Sequence, residues 1–284
     1  MLEISKIFKL FKVLVAFCAA SMFYFPFEFT FLPGRNVKML MAALGVVIIG
    51  ISLARRQKLE VPKNLVPLFI MACIVSLIGL FSMVFNGTID DAYAGYIASM
   101  AVWLSAAFVA CSAIKWAHGR ISLELVGNYL IILCVAQCIE AIMIDNIPAF
   151  QKFVDAYINV DQRTLHEIHR LYGIGANLDV AGARFSAVLV VLTHLAYNLD
   201  IETHKAKFWM YMISYAIILV LGSMIARTTY VGVVLSFGYI AFNPDTWTSD
   251  ISQNALRKIF PIIGAITISV ILCIYLYNTN PRFK

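Results

Sequence analysis

The sequence is poor in charged residues. Asp, Glu, Lys and Arg make up 13% of its 284 residues, against roughly 25% in a soluble domain. Hydrophobic residues make up 61%, and they fall in long runs of the kind that cross membranes. The alternating pattern of a membrane β-barrel is absent, and a lipid-exposed backbone must satisfy its own hydrogen bonds, so the runs predict helices. The composition excludes a soluble domain and predicts an all-α, polytopic transmembrane helical bundle.

The chain also lacks the short motifs of several enzyme classes and metal sites. It contains no P-loop, no GxSxG, no HExxH and no DxD-type acidic pair. Its six cysteines lie in apolar segments and form no CxxC pair, which argues against a disulfide framework or a zinc site. The net charge is +6, but the basic residues cluster between apolar runs, which favours membrane orientation over nucleic-acid binding. We therefore expect no metal, no cofactor and no nucleic-acid partner.

The apolar runs predict about nine membrane spans, over residues 12–32, 37–54, 65–86, 94–115, 122–144, 178–198, 208–226, 228–243 and 259–278. The connections between them alternate between a basic kind and a kind with less lysine. By the positive-inside rule the basic connections lie in the cytoplasm, together with the N-terminus. We treat residues 1–284 as a single transmembrane domain.

The longest connection on the predicted outer side is residues 145–177. Its first part has apolar residues at helical spacing, namely Phe150, Phe153, Val154, Tyr157 and Ile158. Polar side chains occupy the opposite face of such a helix. This pattern predicts an amphipathic helix that lies along the outer membrane interface.

Arginine is concentrated on the predicted outer side, against the usual bias. The arginines at or near that side are Arg35, Arg163, Arg170, Arg184, Arg227 and Arg282, whereas its lysines are only Lys152 and Lys284. A guanidinium group makes planar, bidentate contacts with phosphate oxygens that an ammonium group cannot make. We interpret the cluster as a binding site for an anionic group such as phosphate or pyrophosphate.

Arg227 is the most informative of these residues. It is the only charge in the 34 residues from 208 to 241, a length too great for one span of about 20 residues and short for two. We expect the chain to turn there, with Thr228 and Thr229 capping the next helix. Free N–H groups at the start of that helix would then join the guanidinium around one anion. The alternative is an arginine that only reaches to the membrane interface.

A glycine-rich stretch between Arg170 and Arg184 leads into the sixth predicted span. Its glycines allow a tight backbone entry, and Asp179 is a candidate partner for Arg184. Four further residues on this side have two interpretations each. His166 and His169 fit a metal or acid–base role or a plain interface helix, and Glu140 and Asp145 fit counter-ions to the arginines or a catalytic base.

Two of these segments together resemble the O-antigen polymerase and O-antigen ligase superfamily. One is Arg170-Leu-Tyr-Gly173 with Asn177, at the entry to a span, and the other is Gly222-Ser223-Met-Ile-Ala-Arg227-Thr228. The resemblance covers about residues 65–278. Members of the family continue with a large outer loop after the span that corresponds to 259–278, so we expect residues 1–284 to be the N-terminal portion of a longer protein.

The resemblance implies a metal-independent glycosyltransferase at the periplasmic face of the bacterial inner membrane. Its substrate would be an oligosaccharide linked to undecaprenyl pyrophosphate, with membrane lipids and a chain-length regulator as further partners. A polymerase joins repeat units, whereas a ligase moves the finished glycan to lipid A-core. A transporter or flippase for the same lipid-linked oligosaccharide is the rival from another class. The resemblance assigns the catalytic role to Arg170 and Arg227, and substrate binding to Arg184, Asn177, Thr228 and Arg163.

Overall fold

The computed structural model describes residues 2–55, 65–159, 170–176, 178–243 and 253–279. In these ranges the chain is all-helical, with two isolated β-bridges and no strand. The helices are α1 (Leu2–Tyr24), α2 (Val37–Ala54), α3 (Leu65–Asn86), α4 (Tyr96–His118), α5 (Leu123–Asn146), α6 (Pro148–Tyr157), α7 (Leu178–Asn198), α8 (Lys205–Ile225), α9 (Thr229–Phe242) and α10 (Gln253–Thr279). The all-α prediction is confirmed.

Seven helices in the described ranges are long and apolar enough to cross a membrane, namely α1 to α5, α7 and α8. The other two predicted spans coincide with shorter apolar segments, α9 and the stretch Phe260–Tyr275 of α10. Large apolar side chains stay exposed along these helices, for example Phe81 at 70% and Phe85 at 78%. Exposure on this scale suits a hydrocarbon environment and not water. The chain is therefore a multi-pass membrane protein.

The first helix differs most from its predicted span. The run of apolar residues predicts a helix over 12–32, but α1 begins at Leu2 and ends at Tyr24. Pro26 follows directly, and a proline lacks the N–H group that would continue the helical hydrogen bonds. Residues 25–34 instead lie beside α6, where the backbone N–H of Thr30 donates to the Tyr157 carbonyl oxygen at 3.0 Å.

The helices pack into two compact units. One unit comprises Met1–Phe23 and Arg35–Arg120. In it α4 packs against both α2 and α3, and the core between α2 and α4 includes Met41, Ala106 and Val109. Asn36 caps α2, since its side chain accepts a hydrogen bond from the Lys38 N–H at 3.0 Å. This unit contains Arg35 of the predicted arginine cluster but none of the residues assigned a catalytic or substrate-binding role.

The other unit comprises Tyr24–Gly34 and Ile121–Lys284. Its central element is α7, which packs against α5, α8, α9 and α10, and whose Phe185, Val188, Leu189 and Leu192 are fully buried. Ser122 caps α5 by accepting a hydrogen bond from the Leu125 N–H at 3.2 Å. Every described residue with an assigned catalytic or substrate-binding role belongs to this unit.

Candidate functional site

The predicted site residues lie at one end of the second unit, which we call the motif end. It is formed by residues 170–176, the first two turns of α7 and the turn Ala226–Thr228 between α8 and α9. Arg170, Arg184, Arg227 and Thr228 are all found here. Arg163 and Asn177 lie outside the described residues, as do His166, His169 and Arg282.

Residues 170–176 form a closed turn that begins at the half-buried Arg170. The backbone N–H of Gly173 donates to the Ala176 carbonyl oxygen at 2.8 Å, and the Ala176 N–H donates back at 3.3 Å. Gly175 has a φ of +75°, a left-handed conformation that glycine adopts without strain. A Cβ atom at Gly175 would also overlap the carbonyl oxygen of Phe25. Glycine at this position therefore lets the turn rest on the segment that follows α1.

Tyr172 anchors this turn to α6. Its ring is buried in a cluster with Ile144 and Val154, and its hydroxyl donates to Asp155 Oδ1 at 3.1 Å. Burial, together with the negative charge of Asp155, raises the pKa of Tyr172 to about 12. The hydroxyl consequently stays protonated and remains a donor to Asp155 at physiological pH.

Arg184 lies on α7 beside the end of α1. Its guanidinium carbon is 5.7 Å from the centroid of the Phe25 ring, a distance at which the cation is attracted to the ring face. Phe25 is 1% exposed and also contacts Phe185, with ring centroids 5.7 Å apart. The hydroxyl of Tyr24 donates to the Arg184 carbonyl oxygen at 2.9 Å. The segment after α1 thus fixes both the backbone and the side chain of Arg184.

The turn between α8 and α9 is present where the sequence predicts it. Ile225 is the last residue of α8, and the Ala226 N–H donates to the Gly222 carbonyl oxygen at 2.8 Å. Arg227 follows and is exposed, and within the described residues its guanidinium makes no hydrogen bond or ion pair. Its five N–H donors are therefore available to a ligand.

The start of α9 does not offer the free N–H groups that the sequence predicts. The N–H groups of Thr229, Tyr230 and Val231 each donate at 3.1 Å to the carbonyl oxygen three residues earlier. The Gly232 N–H donates to Ser186 Oγ, also at 3.1 Å. Thr228 is the N-cap residue but makes no side-chain capping bond. Anion binding at this turn would thus depend on the Arg227 side chain more than on the helix terminus.

Small residues of α7 hold this turn in place. A Cβ atom at Gly182 would overlap Thr228 Oγ1 and lie 2.8 Å from Ala226 Cβ. Ser186 Oγ donates to the Thr228 carbonyl oxygen at 2.7 Å. Successive helical residues are about 100° apart, so Gly182 and Ser186 share a face and Arg184 lies on the opposite one. The turn and Arg184 therefore lie on different faces of α7, and whether they share a ligand stays a prediction.

No protein-family model, curated protein or solved structure matches this chain. Among the described residues, no group of three or more His, Cys, Asp or Glu side chains is placed to hold a metal ion.

Sequence reasoning missed two parts of the motif end. The first is the segment Tyr24–Pro26, which was assigned to a continuous span although Pro26 was a visible signal against it. The second is Gln137, a 3% exposed side chain of α5 that lies directly under Gly173, where a Cβ atom would overlap Gln137 Oε1. Its signal was a polar residue three positions before Glu140 in an apolar run, a spacing at which helical side chains meet.

Proposed function

We propose that this chain is a glycosyltransferase of the O-antigen polymerase type. It joins oligosaccharide repeat units carried on undecaprenyl pyrophosphate at the periplasmic face of the bacterial inner membrane. The observation that carries the proposal is the contact between α7, into which the first segment of the resemblance leads, and the second segment. Gly182 and Ser186 of α7 pack on Thr228, so the helix that follows the first segment meets the second segment at one end of one unit.

The role of Arg227 follows from its geometry. Glycosyl transfer forms a bond between the acceptor hydroxyl oxygen and the anomeric carbon, and it breaks the bond from that carbon to the pyrophosphate. The electron pair of the broken bond stays on the phosphate oxygen, where negative charge grows in the transition state. The exposed guanidinium group of Arg227 would stabilise the transition state, where this charge is larger, more than the ground state, and it would do so without a metal. Arg170, at the start of the neighbouring turn, holds the same pyrophosphate.

The proposal also fixes an orientation. The two shorter apolar segments, α9 and Phe260–Tyr275, complete nine spans when added to the seven long helices. Lysine-rich connections then alternate with lysine-poor ones, with the N-terminus in the cytoplasm. The motif end faces the periplasm, where lipid-linked repeat units are polymerised, and α6 with its exposed Phe153 and Tyr157 lies at that interface.

The test separates charge from geometry at Arg227. Variants Arg227→Lys and Arg227→Ala are introduced at the gene's own locus, with Arg120→Ala, an exposed arginine of the other unit, as the matched control. Lysine keeps the charge but loses the two parallel N–H donors, so we expect shorter surface glycans and accumulated lipid-linked repeat units. Alanine loses a charge-assisted contact of roughly 1.5–3 kcal/mol, equivalent to a ~10- to 150-fold loss of rate.

The control and a second acceptor complete the design. Arg120→Ala should leave glycan length unchanged at equal protein abundance. Adding lipid A-core as acceptor to membranes separates a polymerase, which needs only repeat units, from a ligase. Normal glycan length in both Arg227 variants would leave the anion-binding role without support, and movement of intact substrate across liposomes would identify a transporter instead.

A further inference from the structure

A carboxylate lies inside one of the membrane-spanning helices. Among the described helices, Glu140 of α5 is the only acidic residue more than a turn from a helix end. It precedes Asn146, the last residue of α5, by six positions, or about 9 Å along the axis at ~1.5 Å per residue. An ionisable side chain at such depth costs a few kcal/mol and is usually kept for a function. Glu140 makes no ion pair in the part of the chain that the structure describes.

Gln137 holds this carboxylate from one turn below. Its Nε2 donates to Glu140 Oε2 at 2.8 Å, which leaves Glu140 Oε1 for another partner. The donor end of the amide is used in this bond, so the acceptor end points away from Glu140. Gln137 Oε1 is buried and accepts no hydrogen bond from the described residues. Gln137 Oε1 lies beneath Gly173 and is closed to a ligand, so the free acceptor of the pair is Glu140 Oε1.

The turn that carries Arg170 rests on this pair. Gly173 lies so close to Gln137 that a Cβ atom would overlap Oε1 and come within 3.2 Å of the Gln137 carbonyl oxygen. The backbone of Gly173 has no positive φ, so glycine is required here for space. The glycine of the Arg170–Gly173 segment thus brings the turn that begins at Arg170 directly over the glutamine that donates to an intramembrane carboxylate.

We infer that the Gln137–Glu140 pair binds the attacking hydroxyl of the acceptor sugar, and that Glu140 takes its proton during transfer. The inference rests on the proposed function. The O–H bond breaks as the oxygen bonds to the anomeric carbon, the proton passes to Glu140, and the pyrophosphate leaves with the electron pair of its C–O bond.

The arginines of the motif end cannot supply this proton acceptor, since a guanidinium group stays protonated in proteins. Asp155 is already engaged by the Tyr172 hydroxyl, and Glu28 accepts hydrogen bonds from Gly34 and Asn159. The described histidine of α7, His194, lies ten residues further along the helix from Arg184 and is hydrogen-bonded to Tyr239 at 2.8 Å. Among the described carboxylates of this unit, Glu140 alone lies more than a turn inside a helix.

The experiment compares Glu140→Gln, Glu140→Ala and Glu124→Gln, the last a matched Glu-to-Gln change at an exposed position near the other end of the same helix. Membranes are prepared from strains that carry each variant at the gene's own locus. The donor and acceptor are lipid-linked repeat units extracted from the same strain with the gene deleted. Binding is measured separately, as the thermal stabilisation of each purified protein by undecaprenyl pyrophosphate.

We expect Glu140→Gln to lower the initial rate by roughly 10²- to 10⁴-fold, the usual contribution of a general base, with its stabilisation by undecaprenyl pyrophosphate unchanged. Formate should restore part of the rate of Glu140→Ala, because a small carboxylate can occupy the vacated space. Glu124→Gln should behave as the wild type.

A wild-type rate for Glu140→Gln would overturn the inference and leave the proposed function intact. Loss of stabilisation by undecaprenyl pyrophosphate in Glu140→Gln, without rescue of Glu140→Ala by formate, would also overturn it, by showing a structural role. If wild-type membranes neither extend the glycan nor bind undecaprenyl pyrophosphate, the proposed function itself fails, and this inference fails with it.

Discussion

A single methyl group added at Gly182 should push α7 away from the turn Ala226–Thr228. A Cβ atom there would overlap Thr228 Oγ1, lie 2.8 Å from Ala226 Cβ and lie 3.0 Å from Thr228 Cβ. Carbon atoms normally pack at about 3.5–4.0 Å, so α7 and the turn would have to move apart by about 1 Å. The variant Gly182→Ala therefore tests how tightly this contact is built.

The magnitude comes from comparison with a second glycine. Overpacking a filled position costs roughly 1–3 kcal/mol, and replacing glycine by alanine in a helix returns up to ~1 kcal/mol. Gly238 of α9 has nothing within 4 Å of an added Cβ atom, so Gly238→Ala gains only the stability that alanine adds to a helix relative to glycine. Because both variants gain this helix stability, Gly182→Ala should be less stable than Gly238→Ala by roughly 1–3 kcal/mol, the cost of overpacking.

The assay is thermal unfolding of both proteins in the same detergent, together with glycan length in cells. Adding Thr228→Ala to Gly182→Ala removes the overlapping oxygen but leaves the two Cβ contacts, so stability should return in part. Equal stability of the two glycine variants, or strictly additive effects in the double variant, would refute the close contact between α7 and the turn.

Two further predictions concern single hydrogen bonds. Ser186→Ala removes the hydrogen bond to the Thr228 carbonyl oxygen and leaves the Gly232 N–H without its acceptor. The free energy of unfolding in detergent should therefore fall by roughly 1–3 kcal/mol. Thr193→Val is the control: it loses a hydrogen bond only within its own helix and should lower the free energy of unfolding less. Tyr172 has a pKa raised from 10.0 to about 12, so the folded protein keeps a proton that the unfolded chain releases, and this contribution is complete below pH 10 and lost towards pH 12. Tyr172→Phe should flatten the fall in stability over that window, and an unchanged slope would contradict the assignment.

Several helix ends could be read from the sequence because polar residues flank the apolar runs closely. The spans predicted over 37–54, 65–86 and 178–198 coincide with α2, α3 and α7. Asn36 and Arg55 border α2 on either side, and these polar residues mark where the helix begins and ends. The turn at Arg227 was likewise predictable, since the 34 residues 208–241, with Arg227 as their only charge, are too long for one span.

The end of α1 could not be placed in this way. Residues 25–32 continue the apolar run, and what removes them from the helix is bonding to partners far along the chain, such as the Thr30 hydroxyl to the Ala156 carbonyl oxygen, 126 residues away. The occupied N–H groups of α9 are a similar case. The fourth of these N–H groups, that of Gly232, donates to Ser186 of α7. Only the packing of α7 on α9 shows that the N–H groups at this helix terminus already have acceptors.

The role of Gln137 was also hidden in the sequence. A glutamine and a glutamate three positions apart predict a side-chain pair on one helix face, but not what covers that pair. Gly173 contacts Gln137 because hydrogen bonds between Gly173 and Ala176 close a turn. The backbone geometry of such a turn cannot be predicted from the spacing of apolar residues.

The early end of α1 has a consequence for how the nascent protein is built. Ribosomal synthesis releases Phe25–Gly34 long before its partners, for the residue that binds the Tyr24 hydroxyl follows 160 residues later. At roughly 5–20 residues per second this delay lasts about 8–30 s, during which a phenylalanine-rich strap has nothing to dock on. The segment Phe25–Gly34 does have contacts of its own. The rings of Phe27, Phe29 and Phe31 lie 5.0 and 4.8 Å apart in sequence order. That local stack can form at the translocon and shelter the aromatic rings until α6 and α7 emerge.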